Sequence, residues 1–187
     1  SGAPRTLYGL GASPGLAVGK LVRHVSQRFE ITDQPGDVVA EGEALEQALS
    51  AVRVEREELE GRTRQRLSAA EAAIFAAQRE LLADPVLTRD ALAAIMQGHG
   101  AAWSWQRALR ARIDKLQQID DPLLAARAVD LRDVGERVLA QLLGIERQQI
   151  ALTEPSILAA DDLTPSDTLH LDTRHVVGLA TSAGGPT

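Results

Sequence analysis

The chain has 187 residues, 44% of them hydrophobic and 25% charged, with a net charge of −6; that is enough apolar material for one or two cored domains and too much for a disordered chain. The acidic balance argues against nucleic acid as a partner, and the absence of cysteine removes disulfides, thiolate metal sites and cysteine nucleophiles together. No run has the length of a membrane span or the form of a signal peptide, so the expectation is a cytoplasmic protein with protein or small-molecule partners and no membrane contact.

In the first segment, LYGLGASPGLAVGKLVRH, apolar residues alternate with glycine about Ser13-Pro14-Gly15, which predicts two short strands around a turn. Its glycines do not fit a dinucleotide or phosphate-loop spacing. From about Gly36 to Arg66, Leu45, Leu49, Val52 and Leu59 recur among many Glu and Arg, giving a long helix with one apolar stripe and a solvated charged face. A second run, AAEAAIFAAQRELL, is followed by Asp84-Pro85, a capping carboxylate and a first-turn proline for VLTRDALAAIMQ. Gly98 and Gly100 close that helix.

A fourth run, AAWSWQRALRARIDKLQQI, leads to Asp121-Pro122, which repeats the cap-and-proline start. The helix after it has the clearest period: Leu124, Ala128, Leu131, Val134 or Gly135, Val138 and Leu142 form the core stripe. Arg127, Asp130, Arg132, Asp133 and Glu136 take the other faces, and Gly144 closes the helix. Beyond it a strand is expected at Ile157–Ala160, a turn of helix capped near Thr164-Pro165-Ser166, and a strand from about His175 to Thr181. Strands, about a hundred residues of helix, then strands again describe a helical domain inserted into an α/β domain, and the strands are too few to complete that second domain.

Candidate chemistry is sparse. His24, His99, His170 and His175 show no metal-ligand spacing. Asp161-Asp162 after a strand could serve a metal or acid–base chemistry, but such a pair is more often a turn and cap. Gly184-Gly185-Pro186-Thr187 follows a strand and offers backbone amides and a hydroxyl suited to a phosphoryl group or oxyanion.

Taken together, GLGASPGLAVGK, AIFAAQRELLADPVL, ARAVDLRDVGERVLAQLLG, and ILAADDLTPSDTLHLD with VVGLATSAGGPT resemble the amino-terminal portion of Enzyme I, the phosphoenolpyruvate-protein phosphotransferase of the bacterial sugar phosphotransferase system. The resemblance runs from Leu7 to Thr187. It implies an α+β fold: a four-helix HPr-binding domain (33–146) inserted into an incomplete phosphohistidine swivelling α/β domain (1–32 and 147–187). It further implies that Gly184, Gly185 and Thr187 orient a phospho-accepting histidine two positions beyond Thr187, so residues 1–187 alone are expected to be inactive and to retain mainly HPr docking. Docking would use Phe75, Leu81, Leu82 and Leu87 as apolar contacts, with Gln78, Arg127 and Arg132.

By the same resemblance, Mg²⁺ and homodimerisation belong to a carboxy-terminal domain of the whole enzyme, outside this chain. Where several members of the family carry acidic residues near the second-helix site, this chain has Ala76, Ala83, Pro85 and Val86, with Arg79 nearby. That departure would suit a dedicated partner, including an HPr domain fused in one polypeptide; such modules occur in stand-alone Enzyme I, in multiphosphoryl transfer proteins and in nitrogen-regulatory relatives with a sensory domain in front, and the residues are compatible with each. The alternatives are a swivelling domain of a dikinase or phosphoenolpyruvate synthase, or a helical interaction module that never carried phosphate.

Overall fold

A computed structural model describes residues 3, 5–25, 29–66, 69–146, 152–161, 163–169, 171 and 174–182. Its elements in chain order are β1 (Lys20–His24), α1 (Val38–Arg66), α2 (Ala69–Leu82), α3 (Pro85–Met96), α4 (Ala101–Gln117), α5 (Pro122–Leu142), β2 (Ser156–Ala160), α6 (Pro165–Leu169) and β3 (Val176–Thr181). The described residues of Ser1–Gln27, Gln149–Leu163 and His170–Thr187 group into one compact unit, and those of Arg28–Gln148 with Thr164–Leu169 into another. The helix α6 thus belongs with the helices, although in sequence it joins two strands.

The helical unit begins from its caps. Asp84 accepts a hydrogen bond from Val86 N at 2.9 Å with Pro85 in the first turn of α3. Asp121 accepts from Leu123 N at 2.7 Å with Pro122 in the first turn of α5. Each carboxylate satisfies amides that have no partner inside the helix, and each proline occupies a place where no N–H is needed. Asp84-Pro85 also divides α2 from α3, so the expected four-helix domain resolves here into five helices, α1–α5. At the end of α5, Gly144 takes φ 64°, and Ile145 N returns to Ala140 O at 2.9 Å, the left-handed closure that favours glycine.

The core is one cluster: Leu45, Leu49 and Val52 of α1, Leu82 of α2, Leu87 and Ile95 of α3, Trp105 and Leu109 of α4, and Ala128, Leu131, Val134 and Val138 of α5. The expected stripe of α5 is buried at Ala128, Leu131, Val134, Gly135 and Val138, while Leu124 and Leu142 at its ends are half-buried. Two charged residues assigned to solvated faces are not solvated: Arg56 of α1 is 0% exposed and Asp133 of α5 is 3% exposed. Helical period places a side chain on an arc, and these two lie at the margin where a neighbouring helix covers it.

In the smaller unit β1, β2 and β3 form a three-stranded parallel sheet in that order. Lys20 pairs with Ser156 and Ser156 with Val176, so β2 is central. The two later strands lie where the sequence places them. The hairpin expected near the start is not formed: β1 is the only strand among the described residues before α1, and Ala12–Pro14 make a bend. The reason is topological, because β1 takes its partner from beyond the helical insert rather than from its neighbour in sequence. Leu7, Tyr8, Leu10, Leu16 and Val18 remain exposed, Leu10 at 99%.

Helices α4 and α5 approach closely at Gly135. A Cβ there would overlap both terminal methyl carbons of buried Leu109, and Trp105 Nε1 donates to Gly135 O at 3.0 Å across the same contact. Gly135→Ala should therefore lower the unfolding free energy by up to about 2 kcal/mol, the overpacking cost of ~1–3 kcal/mol less the gain of roughly 1 kcal/mol in helix propensity. Urea unfolding checks this, and an unchanged or raised midpoint refutes the close-packing account.

Candidate protein-docking face and the polar cluster beneath it

Seven residues were expected to meet a partner on the helices. The structure divides them by depth: Phe75, Gln78, Leu82 and Leu87 are 2%, 0%, 0% and 1% exposed. They cannot be direct surface contacts in this conformation, which corrects the expectation of an exposed leucine face. The cause is ordinary amphipathic packing, in which the largest apolar side chains of α2 and α3 turn inward. Leu81 is half-buried against the core, while Arg127 and Arg132 stand exposed on α5. Other exposed apolar side chains on these helices are Ile74, Leu92, Met96 and Leu123.

The cations near α2 have prior engagements. Arg79 Nη2 lies 2.7 Å from Glu60 Oε2 of α1, and Arg53 Nη2 donates to Leu82 O at 3.1 Å, capping the end of α2. Arg112 pairs with Asp84 at 2.9 Å. No such ion pair involves Arg127 or Arg132 among the described residues.

Beneath α2 lies a polar cluster that the sequence did not announce. Asp133 Oδ2 accepts from Gln78 Nε2 at 2.9 Å, from Ser166 Oγ at 2.7 Å and from Ser166 N at 3.3 Å. The Ser166 hydroxyl in turn accepts from Arg56 Nη1 at 2.9 Å. One hydroxyl therefore donates to the carboxylate and accepts from the guanidinium, which links a buried anion to a buried cation. Beside it, Arg137 Nε meets Glu55 Oε2 at 2.7 Å. α6 is closed locally by Thr164 and Asp167, which each accept from the other's amide at 3.1 Å, a reciprocal cap of the Thr-x-x-acid type. The only signal for this cluster in the sequence is an acid one position from a core residue of α5, which is too common to single out.

A second polar group secures the start of α4. His99 Nδ1 is 2.7 Å from Asp33 Oδ2, Gly100 N donates to Asp33 Oδ1 at 3.0 Å, and Ala101 N donates to Glu41 at 2.6 Å. The ring of His99 stacks on Trp103 at 4.2 Å. These contacts join the approach to α1 with the first turn of α4, where helix amides need acceptors.

The expected loop residues Gly184, Gly185 and Thr187, together with Asp162 and His170, lie outside the described residues. Just before the loop, Ser182 Oγ is 3.1 Å from Asp161 Oδ1, so Asp161 serves a turn contact at the ends of β2 and β3. Among the described residues no three His, Asp or Glu side chains converge as a metal site, and no helix is long and apolar enough to cross a membrane.

Two carboxylates titrate with opposite consequences. The hydrogen bond from His99, and then that from Gly100 N, hold Asp33 below its ordinary value of 3.8. A depressed folded pKa stabilises the protein above the unfolded value, and this contribution is lost as pH falls through the folded one. Burial first, and the nearby charge of Asp133 second, push Asp130 above 3.8; its ionised form opposes folding once pH passes the unfolded value. Asp33→Asn should thus lower the urea midpoint at neutral pH and Asp130→Asn should raise it, with both differences shrinking in acid. Midpoints measured from pH 7 down to 3 test this, and equal signs for the two variants would refute it.

Comparison with known proteins places these features. A family model described as PEP-utilising enzyme, N-terminal, matches residues 8–127. The chain is 44% identical, over 99% of its length, to a multiphosphoryl transfer protein of Xanthomonas campestris pv. campestris, of which it spans 22%. It is 34% identical over 98% of its length to a phosphoenolpyruvate-protein phosphotransferase of Bacillus sp. (strain S), of which it spans 32%. A solution NMR structure of an Enzyme I protein aligns with TM-score 0.71 and 31% identity over 93% of this chain and 72% of that one.

Proposed function

Because the chain belongs to the N-terminal family of PEP-utilising enzymes, with the α+β fold of Enzyme I N-terminal domains, we propose that it is the HPr-docking and partial swivelling portion of a multiphosphoryl transfer protein. The observation that carries this reading is the 44% identity to such a protein across 99% of the chain, against 34% to a separate phosphotransferase. The whole protein would act in the cytoplasm in sugar uptake and dimerise through its carboxy-terminal part. An imidazole nitrogen beyond Thr187 would attack the phosphorus of phosphoenolpyruvate as the bond to the enolate oxygen breaks, and would then yield the phosphoryl group to HPr or a fused HPr domain. Mg²⁺ would be held by the part of the whole enzyme outside residues 1–187.

Within the chain the work is recognition and orientation. Gly184, Gly185 and Thr187 would hold the phosphohistidine loop. Arg127, Arg132 and Leu81 would touch HPr directly, while Phe75, Gln78, Leu82 and Leu87 fix the helix face from beneath. Leu81 is partly exposed and Arg127 and Arg132 are exposed, and Arg suits a contact role because it combines charge, planarity and a long apolar stem.

Amide shifts of the 187-residue chain titrated with HPr should move around Leu81, Arg127 and Arg132. Arg127→Ala should raise Kd about tenfold, the weight of one well-placed interface residue. Shifts that do not move at millimolar HPr, or an unchanged Kd in the variant, would count against this face.

A further inference from the structure

We infer that Asp133 couples the α2 docking helix to α6, so that a change at one is felt at the other; the functional meaning of this coupling rests on the docking proposed above. Its basis is the sharing of a single oxygen. Gln78 of α2 and both the hydroxyl and amide of Ser166 in α6 donate to Asp133 Oδ2. An oxygen with two lone pairs divides them among three donors, and a buried carboxylate that loses a donor keeps its charge without the compensation. If α2 shifts Gln78, Asp133 must turn to follow it or lose that bond, and turning strains both bonds to Ser166.

The two ends of this link are secured unequally. α2 is secured by the core through Ala72, Phe75 and Leu82. α6 has five residues, too few to hold a helix alone. Among its described side chains the buried one is Ser166, Asp167 is half-buried and Thr168 exposed, and Ser166 ties it to α5 and α1 by hydrogen bonds to Asp133 and from Arg56. Gln78 also has an unspent acceptor, since its Oε1 is buried with no hydrogen-bond partner among the described residues. The weakly secured element is the one that should respond. In the chain it joins β2 to β3, and β3 leads through Ser182 to Gly184-Gly185-Pro186-Thr187, the loop expected to hold the phosphohistidine.

The test uses the ¹⁵N-labelled 187-residue chain, read at the amides of Asp167 and Thr168. Gln78→Leu should speed their hydrogen exchange roughly 5- to 30-fold, the factor for losing a hydrogen bond to a charged acceptor, while α4 amides keep their rates. Glu80→Gln, exposed on the same helix, should leave α6 unchanged. A folded Gln78→Leu with unaltered α6 exchange overturns the coupling. Should that variant not fold, Ser166→Ala read at the Gln78 side-chain amide decides it by reciprocity, an unmoved resonance being the overturning result. Addition of HPr to the wild type should shift the Asp167 and Thr168 amides, and binding that leaves them unmoved again overturns the coupling. If HPr does not bind at all, the docking reading falls, and the variants alone still decide whether α2 and α6 are linked.

Discussion

A carboxylate 3% exposed among helices is the constraint around which the helical unit is arranged. Removing Asp133 from water costs several kcal/mol or more in the absence of partners, so the fold must bring donors to it. It does so from α2 through Gln78 and from α6 through Ser166, with Arg56 of α1 reaching the same serine. Four elements distant in sequence thus meet on one charge. The apolar cluster gives the unit its stability, but apolar contacts are non-directional and tolerate repacking. The hydrogen bonds to Asp133 are directional: they join α2 to α5 and tie the five-residue α6 to both.

What could be read from the residues follows the range of the physics involved. Caps act over three residues, so Asp84-Pro85 and Asp121-Pro122 announce the starts of α3 and α5. The 3.6-residue period acts over a helix, so the stripe of Ala128, Leu131, Val134 and Val138 is visible. Neither signal reaches across the chain. Arg56 and Asp133 resemble any other charged helical residues until α6 is folded against them, and β1 resembles half of a hairpin until β2 arrives from beyond the helical insert. The composition did carry one long-range clue: strands on both sides of a helical run imply an insertion, and the parallel pairing of Lys20 with Ser156 is its structural form.

The docking residues show how an apolar pattern misleads when depth is unknown. Phe75, Leu82 and Leu87 carry the motif of the resemblance, yet they are buried because a helix has one apolar face and its own core claims it first. A pattern that serves packing and one that serves a partner look alike in sequence. In the folded unit these residues are covered, and of the residues expected to dock Leu81, Arg127 and Arg132 are the ones with surface to offer.

The charge pattern then narrows the kind of partner. Arg79, Arg53 and Arg112 are occupied by Glu60, the Leu82 carbonyl and Asp84, so the positive charge nearest α2 is neutralised within the unit. The exposed cations in the proposed contact set come from α5, whereas α2 contributes small residues such as Ala73 and Ala77 beside Ile74. If the proposed contact set is right, its partner would present an apolar ridge to α2 and an acceptor, carboxylate or phosphoryl, to Arg127 and Arg132. Because exposed charges are screened at physiological salt, the apolar ridge supplies the larger share of affinity and the arginines set orientation. An HPr domain carried in the same polypeptide needs little intrinsic affinity, since tethering raises its effective concentration. Small side chains on α2 and two orienting arginines on α5 are adequate for such a partner.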